Sequence, residues 1–244
     1  MTDRRDAAAA MLGVVMLRTR FPRLAGEIGN PASFPFPTVY RTVDAATVAR
    51  VVTDGELDAG LADAVIAAGH ELVGAGATVV ATSCGFLSPL QDRLANELGV
   101  AVVASSLVVL PYLRRTYGDD PPLGIMTFDS RRLSARHLPV GAGDVVIEGL
   151  EPDTELYRAV AEDRPSFDVD RARRETVARA ERLVARRPEM PAVVFECTNL
   201  SPYRAAVAER IGRPVYDINQ AVLWSVGALG PAASAPVPLR PEMR

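Results

Sequence analysis

The stretch ATSCGFLSPL around Cys84 returns as FECTNLSPY around Cys197, 113 positions later. The same offset carries Leu87 onto Leu200, Ser88 onto Ser201, Pro89 onto Pro202 and Gly99 onto Gly212. It also carries Leu90, Leu94 and Leu98, which share one helical face, onto Tyr203, Val207 and Ile211. A segment repeated at this spacing points to a structural unit used twice, so each cysteine occupies the same place in one of two related halves. A second echo supports the duplication: LGVVML at 12–17 reappears as LGIMTF at 123–128.

Apolar runs bounded by Gly, Pro and polar clusters predict strands over 12–17, 39–43, 77–82 and 101–104, then 123–128, 145–148, 192–195 and 214–216. Between them, 3.6-residue periodicity predicts helices over 56–73, 88–98, 168–187, 201–211 and 219–229. GAG at Gly74 to Gly76 follows a helix and precedes a strand, which makes it a helix stop and not a dinucleotide loop. Strands alternating with helices predict an α/β fold of two pseudo-symmetric α/β halves with mainly parallel sheets and an active-site cleft between them. The expected layout is a first half over 1–113 with the Cys84 loop and a second over 114–216 with the Cys197 loop. A C-terminal helix over 217–230 is expected to pack back on the first half, followed by a Pro- and Ala-rich tail over 231–244.

Several function classes fall away on composition. A formal net charge of −3 gives no electrostatic reason to bind nucleic acid, and the basic run Arg171 to Arg174 sits on a helical pattern as a solvated face. No segment is apolar enough to span a bilayer. At the N-terminus Asp3 and Asp6 interrupt the basic start, and no small-residue cleavage site follows the apolar run, so a soluble cytoplasmic protein is expected. Two cysteines and two scattered histidines, His70 and His137, make no metal-ligand spacing. No metal and no cofactor are expected, and assembly into a homo-oligomer is left open.

Both cysteines follow strand ends, where parallel sheets bind ligands. Each Ser-Pro pair reads as a helix start, with Ser88 or Ser201 as N-cap and Pro89 or Pro202 at the first helical position. The positive end of such a helix favours a thiolate or a substrate carboxylate beside the cysteine. Thiols on opposite sides of a carbon can take a proton from one face and give one to the other, which is what inversion without a cofactor requires. Inert packing and a reversible disulfide remain as the alternatives. The Pro- and Gly-punctuated segment after the first strand is long enough to be a functional flap, and within it Arg23 and Asn30 stand out, Arg23 as a carboxylate clamp.

The paired cysteine loops, duplicated halves and length together resemble the aspartate/glutamate racemase superfamily over nearly the whole chain. That resemblance implies Cys84 and Cys197 as the opposing acid and base. It further implies Ser83 and Gly85 by the first loop, Thr198 and Asn199 by the second, and Thr127 after the first strand of the second half as groups that hold a substrate carboxylate. The loops depart from glutamate racemases, reading Cys-Gly-Phe and Cys-Thr-Asn where those carry Cys-Asn-Thr and Cys-Thr-His, so the histidine that would tune the second thiol is missing. In this respect the chain looks closer to the offshoot that includes algal dimethylsulfoniopropionate lyases. The leading expectation is a cofactor-independent racemase or epimerase acting next to the carboxylate of a small acid or amino acid. A lyase or decarboxylase on the same scaffold, dimethylsulfoniopropionate lyase-like or arylmalonate decarboxylase-like, is the alternative. A non-catalytic small-acid binder or thiol switch is the reading from another class.

Overall fold

Strands that are apolar along their whole length, without polar alternation, need cover on both faces. In the computed structural model, which describes residues 10–118 and 120–228, such strands lie at the centre of two four-stranded sheets, each wholly parallel. The first contains β1 (Leu12–Leu17), β2 (Thr38–Val43), β3 (Val79–Thr82) and β4 (Ala101–Val103) in the order β2-β1-β3-β4. The second contains β5 (Leu123–Thr127), β6 (Val145–Gly149), β7 (Val193–Phe195) and β8 (Val215–Tyr216) in the order β6-β5-β7-β8. Every residue of β1, β3, β5 and β7 is buried, which makes these central strands the spine of the core. The class is α/β with two sheets of the same topology.

The helices of the first sheet are α1 (Val48–Val51), α2 (Ala59–Gly74), α3 (Gln91–Leu98) and α4 (Leu110–Tyr117). Those of the second are α5 (Glu155–Ala161), α6 (Val169–Arg186) and α7 (Arg204–Ile211), and α8 (Ile218–Gly227) ends the described chain. Asp58 and Asp168 cap α2 and α6, each accepting from the backbone N–H three residues on. Asp217 and Gln220 form a capping box that starts α8, which then packs against β3 and β4 of the first sheet. The expected tail over 231–244 lies outside the described residues. Among the described residues no helix is long and apolar enough to cross a membrane. The short helices α1, α4 and α5 were not legible as periodic runs, because one or two turns give the apolar pattern too little length to repeat.

The duplication extends to the backbone. A 3₁₀ helix, Gly85–Leu90, follows Cys84 and leads into α3; its counterpart, Thr198–Tyr203, follows Cys197 and leads into α7. Gly99 (φ 65°) and Gly212 (φ 62°) close the two helices in the left-handed conformation that glycine adopts without cost. These starts correct the expected ones. The N–H groups of Leu87 and Leu200 already bond to the carbonyls of Cys84 and Cys197, so the turn begins directly after each cysteine and not at Ser88 or Ser201. Pro89 and Pro202 lie inside the 3₁₀ stretches. A proline restricts the residue before it and removes a donor, so the regular α-helix forms only beyond it. Ser88 is spent elsewhere, donating its hydroxyl to the His137 carbonyl at 2.9 Å.

Candidate active site

In each sheet the chain leaves the two central strands in opposite directions, so a crevice opens between their carboxyl ends. β1 and β3 deliver Leu17, Ser83 and Cys84 to one crevice; β5 and β7 deliver Phe128, Glu196 and Cys197 to the other. The two crevices merge. Thr198 Oγ1 donates to the Ser83 carbonyl at 2.8 Å, tying one cysteine loop to the other. Both cysteines are unpaired and line one cavity of about 350 Å³, part of it open to solvent. Apolar walls come from Phe21, Val48, Val52, Phe128 and Val160. Such walls exclude water and strengthen every charge interaction inside.

The two thiols sit in unequal surroundings. Cys197 is buried, and its Sγ receives the Asn199 Nδ2 group at 3.8 Å together with the Asn199 backbone N–H. Burial, followed by the nearby Glu196 charge, pushes its thiol up to about 12 despite those donors. Cys84 is less buried in area, with the Phe86 backbone N–H on its sulfur. Burial of the thiol and the Glu196 charge push it well above the ordinary thiol range, and Cys197 adds to the effect. The Phe86 and Asn199 N–H groups are equivalent positions of the repeat, each at the amino end of its 3₁₀ turn.

Of the residues read from the sequence, Ser83, Cys84, Gly85, Cys197, Thr198, Asn199 and Arg23 line the cavity. Ser83 Oγ accepts from the Leu17 N–H at 3.0 Å, which fixes the end of β1 against the first loop. Arg23 stacks over the Phe21 ring, 4.6 Å from its centroid, and is already engaged: Nη1 pairs with Glu27 at 2.8 Å and Nη2 donates to Thr19 at 2.8 Å. Its charge is therefore matched within the flap before any ligand arrives. Asn30 is not brought to the cavity. Its amide donates to the Arg23 carbonyl at 2.6 Å and accepts from the Ala32 N–H, so it shapes the loop that presents Arg23. Thr127 also lies behind the cavity wall, where its hydroxyl donates to Glu196 Oε2 at 2.6 Å.

Glu196 and Glu27 were not singled out by the sequence. Glu196 lines the cavity, fully buried, and burial raises its carboxyl to about 7 even though the Thr127 hydroxyl and the Phe128 N–H oppose the shift. Glu27 is buried too, and burial raises it against the pull of Arg23 and of the Gly29 N–H. Only the mismatch between Ser83 and Glu196 in otherwise matching loops could have drawn attention to the first. The set of groups is one for moving protons: two thiols, one adjacent acid and an apolar enclosure.

No protein-family model matches the chain. A dimethylsulfoniopropionate lyase of Durusdinium sp. clade D is 31% identical over 220 residues, which cover 85% of this chain and 71% of that protein. Among solved structures, unliganded arylmalonate decarboxylase aligns with a TM-score of 0.57 at 14% identity, over 92% of this chain and 94% of its own. An aspartate racemase of Picrophilus torridus aligns with a TM-score of 0.54 at 12% identity, over 90% of this chain and 92% of its own. At such identities the structural likeness speaks for the two-sheet fold alone.

Proposed function

From the premise that the chain belongs to the dimethylsulfoniopropionate lyase family, on a two-sheet fold like that of arylmalonate decarboxylase, we propose that it is a carbon–sulfur lyase acting on a short carboxylic acid with a sulfonium group at the β-carbon. Dimethylsulfoniopropionate is the first substrate to test. The proton next to a carboxylate is weakly acidic, and its removal becomes productive when a good leaving group on the next carbon departs with its bonding electrons. A tertiary sulfonium is such a group. Elimination needs one base, whereas racemisation needs two thiols of matched standing.

The observation that carries this reading is the asymmetry of the cysteines. Asn199 supplies both a backbone and a side-chain N–H to Cys197 Sγ, while Cys84 receives the backbone N–H of Phe86. Donors on sulfur stabilise thiolate over thiol, so Cys197 is the base in this scheme and Cys84 stays protonated beside the substrate. The thiolate takes the α-proton, the C–H electron pair becomes the new double bond, and the C–S bond breaks to release dialkyl sulfide and an unsaturated acid. Arg23, the one cation among the described residues that line the cavity, meets the substrate carboxylate in this scheme.

The test is headspace measurement of dimethyl sulfide from purified protein and dimethylsulfoniopropionate. Sulfide release is expected, with Cys197→Ala slowing it at least about 10³-fold, within the range set by loss of a general base, and Cys84→Ala slowing it less. Deuterium uptake at the α-carbon of an amino acid in heavy water, without sulfide release from the sulfonium acid, would reject the lyase in favour of a racemase.

A further inference from the structure

One buried group in the cavity has no assigned task in the elimination. Glu196 Oε2 is held by Thr127 Oγ1 at 2.6 Å, but Oε1, equally buried, has no hydrogen-bond partner. The carboxyl lies against the first cysteine loop: a Cβ on Gly85 would collide with Glu196 Oε1 and with its carbonyl oxygen. The same acid precedes Cys197 in sequence, lines the cavity with both cysteines, and exerts the largest charge effect on each thiol after burial itself. An orphan carboxylate oxygen without water access is costly unless it accepts a proton or a donor at some stage of the cycle.

We propose that Glu196 is the proton acceptor that generates the working thiolate, exchanging a single negative charge with Cys197 through its free Oε1. The S–H bond of Cys197 breaks, its electron pair stays on sulfur, and the proton forms an O–H bond at Oε1. The thiolate then takes the substrate proton and returns to S–H. The proton on Glu196 leaves with the products, which balances the elimination of a sulfonium acid to sulfide, unsaturated acid and one proton. The arrangement resolves a conflict in the site. A carboxylate and a thiolate side by side repel, and that repulsion helps push both thiols up; once the carboxyl holds the proton, only one charge remains. The buried carboxyl, raised to about 7, is matched to exchange at neutral pH.

The other groups facing this set do not supply the role. Thr127 and the Phe128 N–H, at the end of β5, are donors to Glu196. Cys84 belongs to the first loop and receives one backbone donor, where Cys197 receives a backbone and a side-chain donor. From the flap, Arg23 and Glu27 act on the thiols as an ion pair 2.8 Å apart, with opposing signs. The Arg23 charge lowers Cys84 and the Glu27 charge raises Cys197.

The inference rests on the lyase reading only for which proton is moved, and its test needs no substrate. In a Cys84→Ala background, the rate of Cys197 alkylation by iodoacetamide is followed from pH 5 to 10. A step near pH 7 followed by a plateau is expected, since the thiolate becomes accessible once the site has lost its first proton. Glu196→Gln should remove that step and leave a single rise toward the thiol's own ionisation, because the amide neither holds the site's first proton nor repels the thiolate. Thr127→Val, which removes a donor from the carboxylate, should move the step to higher pH. An unchanged step in Glu196→Gln, a step that Thr127→Val leaves in place, or a Cys197 inert across the range would each overturn the proposal. Dimethyl sulfide release, measured separately with Cys84 intact, should fall about 100-fold in Glu196→Gln. A missing lyase activity with the alkylation pattern intact would sink the substrate assignment and leave the proton exchange standing.

Discussion

At Glu196 the carboxylate form costs the folded chain free energy that the neutral acid does not. Burial raises its carboxyl from the ordinary 4.5 to about 7, so between those values the native state holds a proton that the unfolded chain has released. Stability from this residue is complete below about pH 4.5 and is lost as pH rises through about 7, by roughly 3 kcal/mol. In Glu196→Gln that slope disappears. Urea unfolding at pH 5 and pH 8 should show the stability of the variant gaining on wild type by about 2 to 3 kcal/mol toward the higher pH. A constant gap would mean that the acid is not protonated in the native state. The cysteines themselves were legible because two matched loops in one chain repeat a rare residue. Glu196 was not, since it looked like drift from Ser83, and its meaning comes from Thr127, which lies 69 residues away in sequence and arrives only when β5 pairs with β7.

Two short turns set where the thiols point, and the first leaves no room beside the acid. Gly85 opens the 3₁₀ helix, and a side chain there would meet the Glu196 carbonyl and carboxyl, both fixed in the second cysteine loop. That backbone cannot retreat without carrying Cys197 with it. Gly85→Ala should therefore cost about 1 to 3 kcal/mol, as overpacking does, and slow sulfide release together with Cys197 alkylation. Gly99→Ala is the contrast. Its backbone is left-handed (φ 65°) but a Cβ there meets nothing within 4 Å, so about 1 kcal/mol of strain should leave the rate unchanged. Thermal melts with rate measurements on both variants separate the two effects. If the variants lose activity alike, Gly85 matters only as a turn residue. The repeated elements were readable at this scale, except that Ser-Pro implied a helix start where the chain forms a 3₁₀ turn. The competing signal, a carbonyl on each cysteine that accepts from the residue three positions on, leaves no mark in composition.

Across the whole molecule, catalysis by two loops requires the sheets that carry them to stay in register, and two of the side-chain bonds that cross between them lie at the strand ends. Thr198 Oγ1 bonds to the Ser83 carbonyl at 2.8 Å inside the site, whereas Ser106 Oγ bonds to the Phe195 carbonyl at 2.6 Å behind it. Each ties a residue of one sheet's strand ends to the other sheet, and neither tie could be foreseen, because the sequence shows that two halves exist but not how their faces meet. Removing either hydroxyl strands a buried carbonyl, at a cost of about 1 to 3 kcal/mol, or a fall in melting temperature of about 2 to 4 °C per kcal/mol for a chain of this size. The losses in stability should thus be alike while the losses in rate differ. Thr198→Val frees the Cys84 loop from the Cys197 loop and should lower kcat for sulfide release at least about tenfold, since small misplacement of reacting groups is expensive. Ser106→Ala leaves that bond in place and should keep kcat within about twofold of wild type, because the tie it breaks lies outside the cavity lining. Equal falls in kcat would show that the halves move as one rigid pair and that any loosening between them reaches the thiols.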